Sequence, residues 1–177
     1  QSFVEVKALE VAMAIENGAD EIDIVLNPGM MLSGHIDEAA SEVELLREEA
    51  QEVVLKVIIE SGALKTPEPI RRASLVAMFA GADFVKTSTG KIDVAATPEA
   101  AFVMCNAIKD YYNMTGRKVG FKAAGGVKTP EDAALYYTIV EEVLGAEWLT
   151  TDLFRIGASS AANNLISAIE DKDVKYF

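Results

Sequence analysis

The sequence predicts an α/β fold of parallel strands, built as part of a (β/α)8 or TIM barrel, and three observations carry that prediction. Helical and strand-like patterns alternate along the whole chain, giving five β-then-α units behind one leading helix. The charges Asp23, Lys56, Lys86 and Lys122, embedded in the strand-like runs, stand 33, 30 and 36 residues apart, one unit each time. Parallel strands covered on both faces read as unbroken apolar runs, whereas a barrel turns one polar face inward and gathers reactive residues at the strand ends. An open doubly wound sheet is the competing arrangement.

Taken in order, a leading helix is expected over about 4–17, closed by Asn17-Gly18 before the strand at 21–26. In that strand Glu21, Asp23, Val25 and Asn27 share one face and Ile22, Ile24 and Leu26 the other. A helix at about 37–52 follows, with Glu42, Glu44, Glu48, Glu49 and Glu52 as a solvated face. The strand at 53–59 carries Lys56, and Thr66-Pro67-Glu68 opens a helix over about 67–80 with a capping Thr, Pro in the first turn and an early acid. Ala80-Gly81 closes it before the strand at 83–87. Thr97-Pro98-Glu99 and Thr129-Pro130-Glu131-Asp132 begin helices at about 98–112 and 130–145 in the same way, on either side of a strand at 118–122. A weaker strand at 153–156 and a helix at about 159–170 complete five strands and six helices. With no Pro/Gly/Ser linker and no low-complexity stretch, 1–177 reads as a single domain.

Composition narrows the chemistry. The 177 residues hold 16 Lys+Arg against 28 Asp+Glu, a net charge of −12, and no basic run, so neither nucleic acid nor an anionic membrane is an expected partner. One cysteine, Cys105, and one histidine, His35, exclude a disulfide within the chain and a Cys/His zinc set. Cys105 and Trp148 are expected in the core, His35 in a solvated loop, and Tyr176 in a frayed terminus. No apolar run reaches the ~20 residues of a membrane span and the start lacks a signal-peptide pattern, which fits a cytoplasmic setting. The first residue is Gln, which suggests a start inside a longer reading frame. No G-x-G-x-x-G follows the first strand, and Gly90-Lys91 lacks the upstream Gly of a P-loop.

The embedded charges point to amine chemistry. Two lysines near the ends of successive strands, Lys86 and Lys122, would lie roughly 5–10 Å apart, and like charge plus partial desolvation favours the neutral amine that attacks a carbonyl. A nearby carboxylate, Asp23, would move the protons that imine formation needs. Structural ion pairs filling a barrel interior are the alternative. Gly125-Gly126 after the fourth strand and Gly157-Ala158-Ser159-Ser160 after the fifth look like a phosphate cup of backbone N–H groups, a helix start and two hydroxyls; ordinary turn and cap chemistry is the alternative there. Barrel enzymes often bind phosphate after strands seven and eight, which would number the visible strands four to eight.

Gly18-Ala-Asp-Glu-Ile-Asp-Ile-Val25, Leu55-Lys-Val-Ile-Ile-Glu60, Phe84-Val-Lys-Thr-Ser-Thr-Gly-Lys91, Gly120-Phe-Lys-Ala-Ala-Gly-Gly-Val127 and Arg155-Ile-Gly-Ala-Ser-Ser160 together resemble the deoxyribose-phosphate aldolase family, along nearly the whole chain. The resemblance implies a class I aldolase without metal or other cofactor. Its reaction would be the reversible cleavage of 2-deoxy-D-ribose 5-phosphate into D-glyceraldehyde 3-phosphate and acetaldehyde. It implies Lys86 as the Schiff-base lysine, Lys122 as the lysine that lowers its pKa, and Asp23 as the proton relay. Thr89, Gly90, Lys91, Gly125, Gly126, Gly157, Ser159 and Ser160 would surround the sugar phosphate, and Lys56 would organise the charges beside it. Barrels of this kind take about 250 residues, so three strands are expected to be missing, leaving two open edges, lower stability, reduced activity and scope for a homo-oligomer. Another Schiff-base aldolase or transaldolase of phosphorylated sugars, and a non-catalytic phosphosugar-binding fragment, stay open beside this reading.

Overall fold

Glycine ends the first and third long helices. Gly18 and Gly81, at φ 92° and 101°, turn the chain out of α1 (Val4–Glu16) and α5 (Pro67–Phe79) and into the strands that follow. A computed structural model describes residues 2–158 and 160–176, so Ser159 of the expected phosphate cup lies outside the described residues. Between and beyond these helices run β1 (Glu21–Val25), α2 (Pro28–Ser33), α3 (Ile36–Ala50), β2 (Val54–Ile58), α4 (Ser61–Leu64) and β3 (Phe84–Lys86). The chain continues through α6 (Pro98–Thr115), β4 (Gly120–Ala124), α7 (Pro130–Leu144), a 3-10 turn at Ala146–Trp148, β5 (Phe154–Gly157) and α8 (Ala161–Glu170).

All five strands are parallel and stand in sequence order, β1-β2-β3-β4-β5. Because strand–crossover–strand units are right-handed, an unreversed order puts every crossover on one side of the sheet, whereas a doubly wound sheet reverses direction at a switch point. The sheet is therefore wound in the barrel sense, and open. Its outer face carries Ile22, Ile24, Leu55, Val57, Val85 and Phe121, buried under Leu46 of α3, Ala77 of α5, Met104 and Ile108 of α6 and Val140 of α7. On the inner face Arg155 of β5 reaches Glu21 of β1 at 3.0 Å, so side chains of the two edge strands meet across the concave side. At the strands' starting end, the Asp83 carboxylate accepts from Arg47 and Arg117 at 2.7 Å each and from the Leu55 N–H at 2.9 Å, tying β2 and β3 to α3 and to the α6–β4 turn.

Several expectations need correction. Among the described residues eight α-helices stand where six were expected, because α2 and α4 each add one short segment directly after a strand; Asn27 starts α2 by accepting from the Met30 N–H, with Pro28 in its first turn. Thr97 and Thr129 cap α6 and α7 as expected, Thr129 in a capping box with Asp132. Thr66 makes no capping bond. The third position of its helix is Pro69, which has no N–H to donate. β4 begins two residues later than expected, since Lys118 lies over the Trp148 ring at 4.6 Å, outside the ladder. The C-terminal tail folds back along α8: the Val174 N–H donates to Ser167 Oγ, and the Tyr176 N–H to Asn163 Oδ1, both at 2.9 Å. Cys105 and Trp148 are buried and His35 is exposed, as expected. Among the described residues no helix is long and apolar enough to cross a membrane.

Candidate active site

Alternation along the strands decides which side chains reach the concave face. Asp23 and Lys56 are register partners on β1 and β2, and Lys86 and Lys122 are partners on β3 and β4. All four meet. Asp23 Oδ2 accepts from Lys86 Nζ at 2.7 Å and from Lys122 Nζ at 2.8 Å. Two amines sharing one oxygen at such distances lie within about 6 Å of each other, close enough for each charge to be felt by the other. Asp23 Oδ1 is 3.3 Å from Lys56 Nζ, which also sits 2.5 Å from Glu21 Oε2. Glu21 Oε1 in turn pairs with Arg155 at 3.0 Å. The cluster thus sets four cations against two carboxylates.

Exposure grades across it. The Lys86 and Lys122 side chains are 14% and 18% exposed, whereas Lys56 is 3% exposed with both nearby acceptors already on its amine. Lys56 therefore braces Asp23 and Glu21 from beneath, and the other two amines are the more accessible ones. Burial pushes the Asp23 carboxyl up, but hydrogen bonds from Lys122 and Lys86, with their charges, outweigh it and hold the pKa at about 2. Lys122 is held below the ordinary lysine range, first by burial; Asp23 opposes that, and the Lys86 and Lys56 charges add to it. Glu21 is lowered chiefly by its hydrogen bond from Lys56.

Two glycines make room for this cluster. A Cβ on Gly120 would stand 2.3 Å from Phe84 Cε1, so the Phe84 ring lies across Gly120, where Lys56 and Arg155 stack on it at 6.0 and 5.7 Å. A Cβ on Gly157 would stand 2.9 Å from Ala124 Cβ and 3.3 Å from Lys122 Cε, so Gly157 borders the Lys122 stem. Gly125 and Gly126, at φ 87° and 84°, turn the chain after β4, and the Gly125 N–H points to Gly157 O at 3.4 Å. Ser160 is exposed at the start of α8 and makes no capping bond of its own.

The segment after Lys86 is fastened on both sides. Thr87 Oγ1 and Ser88 Oγ donate to Ala124 O at 2.9 and 2.7 Å, and Thr87 Oγ1 accepts from Ala124 N–H at 2.9 Å. On the other side Thr89 is held by Glu60, while Gly90 takes φ 70° and Lys91 is exposed. A cavity of about 680 Å³ opens beside β1, lined by Asp23, Glu60, Thr89 and Lys91 among others. Among the described residues no group of three or more His, Cys, Asp or Glu is placed to hold a metal ion.

Sequence reasoning singled out Asp23, Lys56, Lys86 and Lys122, which the fold brings together, and missed Glu60 and the Arg155–Glu21 pair as members of the site. Glu60 had a signal: it continues the period-two series Lys56, Ile58, Glu60 at the end of β2.

A profile for the DeoC/LacD family of aldolases matches residues 1–163, all five strands included. Deoxyribose-phosphate aldolase of Mus musculus is 46% identical over 165 residues, 93% of this chain and 52% of the mouse protein, and that of Homo sapiens 42% identical over the same shares. Among solved structures, a candidate deoxyribose-phosphate aldolase of Coccidioides immitis superposes with a TM-score of 0.80 at 29% identity, covering 96% of this chain and 60% of that one. An aldolase named QR15 superposes at 0.76 and 27% identity, covering 96% and 69%. The chain spans about half the length of the curated relatives it matches. A profile that crosses every strand and relatives above 40% identity agree with the lysine-lined concave face: the chain belongs to the DeoC/LacD family of aldolases.

Proposed function

We propose that the chain carries the Schiff-base centre of a class I aldolase, one that cleaves 2-deoxy-D-ribose 5-phosphate reversibly into D-glyceraldehyde 3-phosphate and acetaldehyde. The observation that carries this reading is the sharing of Asp23 Oδ2 by two partly exposed amines. The amine of Lys122 on the same Asp23 oxygen sets a like charge within about 6 Å of Lys86 and disfavours two ammonium groups there. Attack requires Lys86 as its free amine, with its proton released to water. Its lone pair attacks C1 of the open-chain aldehyde; the carbinolamine oxygen is protonated from the cluster and leaves as water, giving an iminium. Asp23, directly or through water, takes the C3 hydroxyl proton, and the C2–C3 bond breaks with its electrons passing into the iminium. Glyceraldehyde phosphate departs, and an enamine stays on Lys86. Protonation at C2 and addition of water return acetaldehyde and the amine.

In this reading Thr89, Gly90, Lys91, Gly125, Gly126, Gly157 and Ser160 border the sugar phosphate, Lys56 braces the carboxylates, and the five strands are numbers four to eight of a barrel. The names of the mouse and human relatives support the substrate. The test is borohydride reduction in the presence of acetaldehyde, followed by intact mass and peptide mapping. One adduct on Lys86, absent in Lys86→Ala, is expected. A folded chain with no adduct, or with adducts scattered over surface lysines, refutes the proposal and leaves the lysines as structural ion pairs.

A further inference from the structure

Glu60 is a buried acid that the imine chemistry leaves idle. It is 6% exposed and takes the left-handed conformation, φ 53° and ψ 59°, uncommon for a residue with a side chain. Regular hydrogen bonding continues on either side of it, from Ile59 N–H to Lys86 O at 3.0 Å and from Ser61 N–H to Thr87 O at 2.9 Å. The unusual turn is therefore confined to the one residue whose carboxylate engages the segment beyond Lys86. There Oε1 accepts from Thr89 N–H at 3.1 Å and Oε2 from Thr89 Oγ1 at 2.6 Å.

That pair of bonds fixes a direction. An ionised carboxylate only accepts, so the single proton of the Thr89 hydroxyl is committed to Glu60. The hydroxyl's lone pairs are then its remaining capacity, and one already accepts from Lys91 N–H at 3.1 Å. Thr89 and Glu60 line a cavity shared with Asp23, Lys91 and residues of α1 and β1; Lys86 and Lys122 are not in its lining and join it through their bonds to Asp23. We propose that Glu60 is a positioning residue for the sugar-phosphate end of the site: it holds Thr89 to Lys91 in place and presents Thr89 Oγ1 to the cavity purely as an acceptor. The partner of Thr89 is accordingly a hydroxyl that donates, and an aldehyde or ether oxygen at that point is rejected because neither side has a proton to offer.

This rests on the Schiff-base reading, and its test separates the two. Borohydride trapping is titrated in parallel with acetaldehyde, which has no hydroxyl to donate to Thr89, and with 2-deoxy-D-ribose 5-phosphate, in the parent chain, Glu60→Gln, Thr89→Val and the double variant. Amide hydrogen exchange of a peptide covering 88–91 is followed in each. Glu60→Gln keeps the size but lets the amide donate to the hydroxyl and reverse it. Its half-saturating sugar phosphate is expected to rise about tenfold, the order of one charge-assisted hydrogen bond. The acetaldehyde curve is expected to move less than twofold, exchange at 88–91 to quicken, and the double variant to be no worse than Thr89→Val, since the two side chains act as one unit. Unchanged exchange in Glu60→Gln overturns the proposal even if the parent chain forms no adduct, an outcome that would separately remove the Schiff-base reading. An unchanged sugar-phosphate titration overturns it, as does equal weakening of both titrations, which would mean that Glu60 acts only through the general integrity of the fold.

Discussion

Replacing Asp23 by Asn removes the carboxylate that three lysines share while leaving the side chain's size in place. In the folded chain this carboxyl titrates at about 2, against its ordinary 3.8. At about 1.36 kcal/mol per pH unit the difference is worth about 2.5 kcal/mol. Asp23 is 26% exposed at its side chain, on an edge strand whose backbone meets water, so screening reduces this to about 1–2 kcal/mol. The folded value lies below the unfolded one, so the stabilisation is whole above about pH 4 and is lost as the pH falls through about 2. A neutral Asn stands in for the protonated acid. Urea unfolding followed by circular dichroism is therefore expected to find Asp23→Asn about 1–2 kcal/mol less stable than the parent at pH 7, with the gap reduced to about half at pH 3. A gap that is the same at both pH values, or a variant as stable as the parent at pH 7, would refute the assignment of Asp23 as an ionised hub.

Two further substitutions test the frame around the cluster. Gly120→Ala drives a methyl group into the Phe84 ring, 2.3 Å from Cε1, and is expected to cost about 1–3 kcal/mol in the same urea assay; an unchanged midpoint would mean that the ring does not lie across Gly120. Thr129→Ala removes a capping box and is expected to cost about 1 kcal/mol, whereas Thr66→Ala, which removes no cap, is expected to stay within about 0.5 kcal/mol. Equal losses at the two threonines would contradict the role given to Pro69.

The winding of the sheet and the meeting of Asp23 with three lysines were legible because both follow from periodicity. A charge placed on one face of a parallel strand has nowhere to go but inward, and one charge per unit repeats that placement around the sheet. What escaped was set by single residues. Thr66 has the same Thr-Pro-Glu signature as Thr97, and Pro69, three positions after it, cancels the cap. The helix at Ser61–Leu64 depends on the left-handed turn at Glu60, which residue type does not announce. The pairing of Arg155 with Glu21 joins residues 134 positions apart and exists only because the sheet curls. Composition carries no record of that curvature.

The surplus of positive charge on the concave face sits in a molecule whose net charge is −12. An anion approaching from solution first meets a repelling field, and the attraction of four cations set against two carboxylates takes over only at close range. Dissolved ions weaken the two unequally. At physiological ionic strength the field of the exposed acids fades over about 8 Å, whereas the partly buried cluster is screened less and keeps more of its pull. Modest salt therefore eases the arrival of an anion at this mouth more than it loosens the grip there, the reverse of the behaviour of a basic protein that gathers its anionic ligands from afar.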